Sequence, residues 1–288
     1  MESIRTILVA LDRGAASRQA LPKAIALARR LGAALELFLC ETERAFVMQR
    51  AYDERAMQDM HSTFSADARK YLEELRSSLA IDDLKVTLDA ASESPVSEAI
   101  VHKVRRAAPD LVVRTIGLDG SKPGAVLTPT DFELVRTCPA PLLLTRGTTW
   151  SAAPVFAAAI DLSGEERTGL THTVLRTASQ LAGHCGASLD LIFGAHREAG
   201  ATGSDEVLRD ALATRAAEVR AQARALHIVP GDPARAIPEF AAERRYDLIV
   251  LGALTHRKAL TQLVGTLTGR LIERVNCDFV VVKAQGTR

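Results

Sequence analysis

Residues that could bind an anion follow two apolar runs in the second half of the chain. Gly252 comes at the end of the run 248–251, and Gly265-Thr266 stands where a helix is expected to begin. Bare backbone N–H groups and a hydroxyl at a helix N-terminus can bind phosphate, because the helix dipole favours negative charge there. Glycine loops also serve simply to turn the chain. The segment therefore indicates a candidate anion site, with a plain turn as the alternative.

An acidic residue could face the same site. Asp161 ends the apolar run 156–160. In an open parallel sheet, ligands bind beyond the carboxyl ends of the strands, where the strand order reverses. If the two runs are neighbouring strands, Asp161 and Gly252 flank one crevice. The alternative is that Asp161 is an acid at a helix N-terminus, since a helix is expected soon after it.

Basic residues lie within the same loop. His256 and Arg257, followed by Lys258, could give charge-assisted hydrogen bonds to a phosphate. An exposed loop is also commonly basic for solubility. Elsewhere, His184-Cys185 and His196 lack a third ligand at a supporting spacing, so no metal site is predicted from them. No Ser-His-Asp order or partnered nucleophile is found, and the sequence predicts no catalytic residue.

Short apolar runs alternate with stretches of helical periodicity, which is typical of a parallel sheet covered by helices on both faces. The sequence therefore predicts an α/β fold. The runs of the first half are 7–11, 35–40, 86–88, 111–113 and 142–144.

The pattern then starts again, which indicates an internal duplication. The matching pairs are 32–38 with 186–192, 109–113 with 246–250, Cys138 with Cys277, and Asp12 with Asp161. The join falls in the small-residue stretch 147–154, which holds the only tryptophan, Trp150. We expect one domain over residues 1–147 and a second over 154–288. The apolar strands at 142–144 and 279–282 are edges that need covering, so we expect the halves to pack closely.

Composition narrows the classes of function. The chain has 288 residues, 47% of them hydrophobic and 25% charged, as in a soluble globular protein. Lys plus Arg number 36 and Asp plus Glu 35, so the near-neutral chain has no basic excess for nucleic acid or an anionic membrane. Four dispersed cysteines without a CxxC pair argue against a zinc knuckle or a disulfide framework. With no signal-peptide pattern or apolar span, we expect a cytoplasmic protein.

Both halves resemble universal stress protein domains, and the whole chain is similar to the tandem, E-type members of that family. The resemblance runs from 7–12 (ILVALD) to 277–283 (CDFVVVK). Nucleotide-binding members carry Gly, two residues, Gly, nine residues, then Gly with Ser or Thr. Those positions here are Gly252, Thr255, Gly265 and Thr266, and Thr255 departs from the pattern. The segment 128–134 (TPTDFEL) is similar to one characteristic of E-type members.

The resemblance implies two tandem Rossmann-like domains, each a five-stranded parallel sheet of order 3-2-1-4-5, paired about a pseudo-twofold axis within the chain. It implies a stress-response protein acting through ligand binding and regulation, with a weak adenine-nucleotide site in the second half. Asp161 would then face the adenine or ribose, and Gly265-Thr266 the phosphates. ATP or another adenine nucleotide is the expected ligand, and no metal is expected beyond magnesium carried by the nucleotide. The alternatives are an interaction module without nucleotide, or a carrier of another small or acyl ligand in the same crevice. Slow ATP hydrolysis has no identifiable general base.

The first half is expected not to bind a triphosphate. Thr128 can cap a helix, Pro129 suits its first position, and Asp131 completes a Thr-x-x-acid box. These groups would satisfy the backbone donors that a phosphate needs, and Asp131 would repel it. The sequence thus predicts one degenerate and one partial nucleotide motif.

Overall fold

A computed structural model describes residues 4–41, 54–116, 127–160, 169–195, 205–253 and 267–284, with side chains undescribed at 54–63 and 267. Contacts divide the chain into two compact units. One contains the described residues of Ser3–Thr115 and Thr128–Ala140, and the other those of Pro141–Arg288 together with Ile116 and Leu127. Among the described residues, no helix has both the length and the apolar character needed to cross a membrane.

The first unit alternates strands and helices as predicted. Its elements are β1 (Thr6–Leu11), α1 (Ala20–Leu31), β2 (Ala34–Cys40), α2 (Glu54–Ser77), β3 (Val86–Ala91), α3 (Val96–Ala107), β4 (Leu111–Thr115) and α4 (Pro129–Thr137). The strands pair in parallel in the order β3-β2-β1-β4. This matches the first four positions of the order 3-2-1-4-5.

The second unit contains the whole second repeat. Its elements are β5 (Leu142–Thr145), β6 (Val155–Ile160), α5 (Leu170–Cys185), β7 (Ser188–Ala195), α6 (Asp205–Glu218), β8 (Ala225–Pro230), α7 (Pro233–Ala242), β9 (Leu248–Ala253), α8 (Leu267–Arg274) and β10 (Asp278–Lys283). The order β8-β7-β6-β9-β10 is parallel throughout, and it confirms 3-2-1-4-5 for this repeat.

The last strand of the first repeat joins the second unit. β5 pairs antiparallel with β10, with Leu144 opposite Phe279 and Leu142 opposite Val281. The two apolar strands that the sequence predicts as exposed edges therefore pair with each other. Contacts place β5 with the second unit although it belongs to the first repeat, and the boundary between 147 and 154 stays a prediction.

Short-range signals repeat in the two units. The first helix of each repeat ends in a left-handed glycine, Gly32 with φ of 64° and Gly186 with φ of 63°. Glycine reaches this conformation without the steric cost of a Cβ, which explains the recurring Gly-Ala pair. An aspartate before the fourth strand also recurs. Asp110 accepts hydrogen bonds from the Arg5 and Thr6 backbone N–H groups at the start of β1.

Candidate functional site

Most of the predicted site lies outside the described residues. This holds for Asp161, Thr255, His256, Arg257, Gly265 and Thr266. Gly252 is the one member of the set that the structure describes.

Gly252 lies near the carboxyl end of β9, opposite Val282 of β10. On its other side β9 pairs in parallel with β6, with Ala159 level with Leu251. The end of β6, immediately before Asp161, therefore reaches the same edge of the sheet as Gly252. β6 and β9 are therefore neighbouring strands, as a crevice shared by Asp161 and Gly252 requires.

Gly252 also has a packing role that the sequence did not reveal. A Cβ at this position would lie 2.7 Å from Cδ2 and 2.8 Å from Cγ of Leu170, in the first turn of α5. Real Cβ atoms do not approach other atoms so closely, so the glycine lets α5 sit tightly on β9.

The equivalent edge of the first repeat is tied together by its own hydrogen bonds. Thr115 ends β4 at the position that Gly252 holds near the end of β9, and its Oγ1 donates to the Ser17 carbonyl at 3.1 Å. The Ser17 hydroxyl donates to the Asp12 carbonyl at 2.7 Å. The Asp12 carboxylate in turn accepts from the Gly14 backbone N–H at 2.7 Å. These polar groups at the end of β4 and in the loop after β1 are therefore hydrogen-bonded to other groups of the protein.

The predicted capping box of the first repeat is confirmed. The Thr128 hydroxyl accepts from the Asp131 N–H at 3.2 Å, and the Asp131 carboxylate accepts from the Thr128 N–H at 3.0 Å, with Pro129 in the first turn. Asp131 is fully buried, and Arg114 Nε donates to its Oδ1 at 3.0 Å. Arg114 offsets the charge that a buried carboxylate could not carry alone. These donors at the start of α4 are satisfied by the protein itself.

The cysteines lack the exposure of reactive thiols. All four are free and buried. Burial raises the pKa of the Cys40 thiol to about 11 and raises the pKa of Cys277 as well. Neutral buried thiols are poor nucleophiles and poor metal ligands. Within the described ranges, no three His, Cys, Asp or Glu side chains converge as a metal site would require. His196 lies outside those ranges.

The second unit contains a buried carboxylate with three polar partners that the sequence did not predict. Asp190 on β7 is held by Arg224 through two hydrogen bonds of 2.9 and 2.7 Å, by His227 at 3.2 Å and by the Tyr246 hydroxyl at 3.3 Å. Although burial opposes its charge, the bonds from Arg224 and His227 lower the pKa of Asp190 below its usual value. The available signal was one acid inside an apolar run. Glu36 is its counterpart in the first repeat, where Lys103 supplies the cation.

Comparison with known proteins gives a consistent result. A sequence profile of the universal stress protein family matches residues 3–146 and 159–283. Universal stress protein E of Salmonella typhi is 21% identical over 300 residues, covering 98% of this chain and 95% of that protein. A solved universal stress protein from Archaeoglobus fulgidus is 16% identical with a TM-score of 0.73, covering 99% of this chain and 100% of that one. A Pseudomonas aeruginosa structure assigned to the family is 22% identical with a TM-score of 0.74, covering 98% and 94%.

Proposed function

Because the chain belongs to the universal stress protein family, we propose that it serves the stress response by binding a ligand that regulates it, and that this ligand is an adenine nucleotide in the second repeat. Gly252, Gly265 and Thr266 fit three of the four positions of the family's nucleotide signature. The phosphates would meet Gly265-Thr266, and the adenine or ribose would face Asp161. The two repeats would pair within the chain, as the contact of β5 with β10 supports.

The contrast between the two repeats supports the second one as the site. At the carboxyl edge of β1 and β4 in the first repeat, Thr115, Ser17 and Asp12 are linked by hydrogen bonds. The backbone N–H groups of Thr128 and Asp131 at the start of α4 donate to each other's side chains. A triphosphate there would have to displace satisfied hydrogen bonds and approach a buried carboxylate, which costs more than the contacts return. In the sequence of the second repeat, Gly265 stands at the position of Thr128 and Gly252 at that of Thr115. This difference is the observation on which the proposal rests.

Thr255 is expected to weaken the site. The signature has glycine there, and a β-branched threonine resists positive φ and adds bulk beside the phosphates. His256 and Arg257 would offset part of the loss through charge-assisted hydrogen bonds. We therefore expect Thr255→Gly to tighten binding of ATP and Gly265→Asp to abolish it.

Calorimetric titration with ATP tests the proposal on the full chain. Thr128→Asp is the matched control, because it adds the same charge to the first repeat while keeping a good helix cap. Loss of binding in Gly265→Asp but not in Thr128→Asp supports a second-repeat site, and the reverse result moves the site to the first repeat. If neither the wild type nor Thr255→Gly binds ATP, and native mass spectrometry finds no nucleotide on freshly purified protein, the nucleotide proposal is wrong.

A further inference from the structure

A cleft of about 300 Å³ opens at the carboxyl end of β3. This volume is at the lower end of the range for small-molecule sites. β3 is the last strand in the order of its sheet, and residues of α2 and α3 contribute to the lining beside it. All of the lining belongs to the first unit, and none of it takes part in the proposed nucleotide site.

One side of the cleft is apolar. Phe38 and Phe64 are almost fully buried and line it together with three alanines, Ala90, Ala91 and Ala99. Small side chains on the strand and helix leave the space open, and the two rings give it flat apolar surface. This side suits the body of a compact aromatic or aliphatic molecule.

Cations from α3 adjoin this apolar surface. Lys103 lines the cleft with a side chain only 7% exposed, and its Nζ donates to Asp89 at 2.8 Å and to Glu36. Although burial opposes the charge, these hydrogen bonds raise the pKa of Lys103 above its usual value. An ammonium group has three donors. Two of these donors are used, and among the described residues no third acceptor reaches the ammonium, which lies over the Phe38 ring at 5.8 Å from its centre.

Arg106 lies one turn away on the same helix. Its side chain is 72% exposed and bonds to Asp89 through a single nitrogen at 3.0 Å, leaving most of its five donors available. Glu36 and Asp89, which pair with these cations, are not among the lining residues. Glu93 is the one carboxylate among the described lining residues, and His102 Nδ1 lies 3.2 Å from it. The lining thus presents two permanent cations and one carboxylate.

We propose that this cleft binds a small organic anion, with its carboxylate at the Lys103 ammonium and the Arg106 guanidinium and its apolar body against Phe38 and Phe64. A guanidinium and an ammonium on one side of a carboxylate give charge-assisted hydrogen bonds, which are stronger than neutral ones. The apolar wall favours a compact carbon skeleton over a hydrated inorganic anion. The site is independent of the nucleotide proposal.

Phenylacetate and phenethylamine are matched probes, because they share a body and differ in the sign of their charge. In calorimetric titrations of the full chain, phenylacetate should bind and phenethylamine should not. Arg106→Ala should weaken phenylacetate binding about tenfold, the loss expected for one charge-assisted hydrogen-bonding group. Arg105→Ala is the matched control, because Arg105 is an exposed neighbour on α3 that does not line the cleft. It should leave the affinity within about twofold, as expected of a screened surface charge.

A second variant tests the position of the site without touching the cations. Ser65 is an exposed lining residue on α2, and Ser65→Phe should fill the cleft and remove binding without disturbing the fold. Equal weakening by the two arginine variants would show a general charge effect and overturn the inference. Preference for phenethylamine, binding of neither probe, or loss of phenylacetate binding in Gly265→Asp would overturn it as well.

Discussion

The carboxylate of Asp278 binds the segment between the two repeats through hydrogen bonds within the second unit. It is fully buried and accepts from Thr145 Oγ1 at 2.9 Å, the Arg146 backbone N–H at 2.9 Å and Trp150 Nε1 at 2.8 Å. Asp278→Ala removes the acceptor and leaves a buried hydroxyl without this partner. Each hydrogen bond to a charged group contributes about 1.5–3 kcal/mol to the free energy of unfolding. Part of this loss is offset, because the variant no longer has to bury a carboxylate. We expect a net loss of about 3 kcal/mol, near the lower end for breaking a buried charged contact.

Urea unfolding followed by tryptophan emission measures this loss, because Trp150 is the only tryptophan and bonds directly to Asp278. With a slope of about 3 kcal/mol per molar urea, the midpoint should fall by about 1 M. Asp278→Asn should cost less, since its side-chain carbonyl can still accept from Thr145 and Arg146 although it loses the bond from the Trp150 indole.

Asp82→Ala is the control, because Asp82 is exposed and should change stability by under about 0.5 kcal/mol. A midpoint for Asp278→Ala that stays within the shift of this control would refute the reasoning, and so would an asparagine variant as unstable as the alanine one.

Two further predictions concern the second unit. Gly252→Ala should lower the free energy of unfolding by about 1–3 kcal/mol, because the new Cβ would lie 2.8 Å from Leu170 Cγ. Leu170→Ala in the same chain should relieve this clash. If the losses of the two single variants simply add in a double-mutant cycle, the contact is not the cause. The lowered pKa of Asp190 means that its stabilisation is complete above its unfolded pKa of about 3.9 and is lost as pH falls through the lower folded value. The urea midpoints of wild type and Asp190→Asn should therefore converge as pH falls below the unfolded pKa, and a constant gap would show that the ionised form is not what Arg224 and His227 stabilise.

Features that depend on neighbours along the chain could be predicted from the sequence. The capping box of Thr128 and Asp131 spans three residues, so residue type and spacing suffice to predict it. The glycines that end α1 and α5 follow from a local backbone requirement. Alternating apolar runs and helical stripes predicted the α/β fold, and the recurrence of the pattern predicted two repeats. The strand order came from the resemblance to a family rather than from the pattern itself.

Contacts between distant residues were decided by the tertiary structure. Leu170 and Gly252 are separated by most of a domain, and the sequence contains no signal that a leucine fills the place of the missing Cβ. Asp190 appeared only as one acid in an apolar strand, because its partners Arg224 and Tyr246 reach it only once β7, β8 and β9 lie in order. Local patterns restrict a few backbone angles at a time, whereas the partner of a buried charge depends on which elements the whole topology makes neighbours.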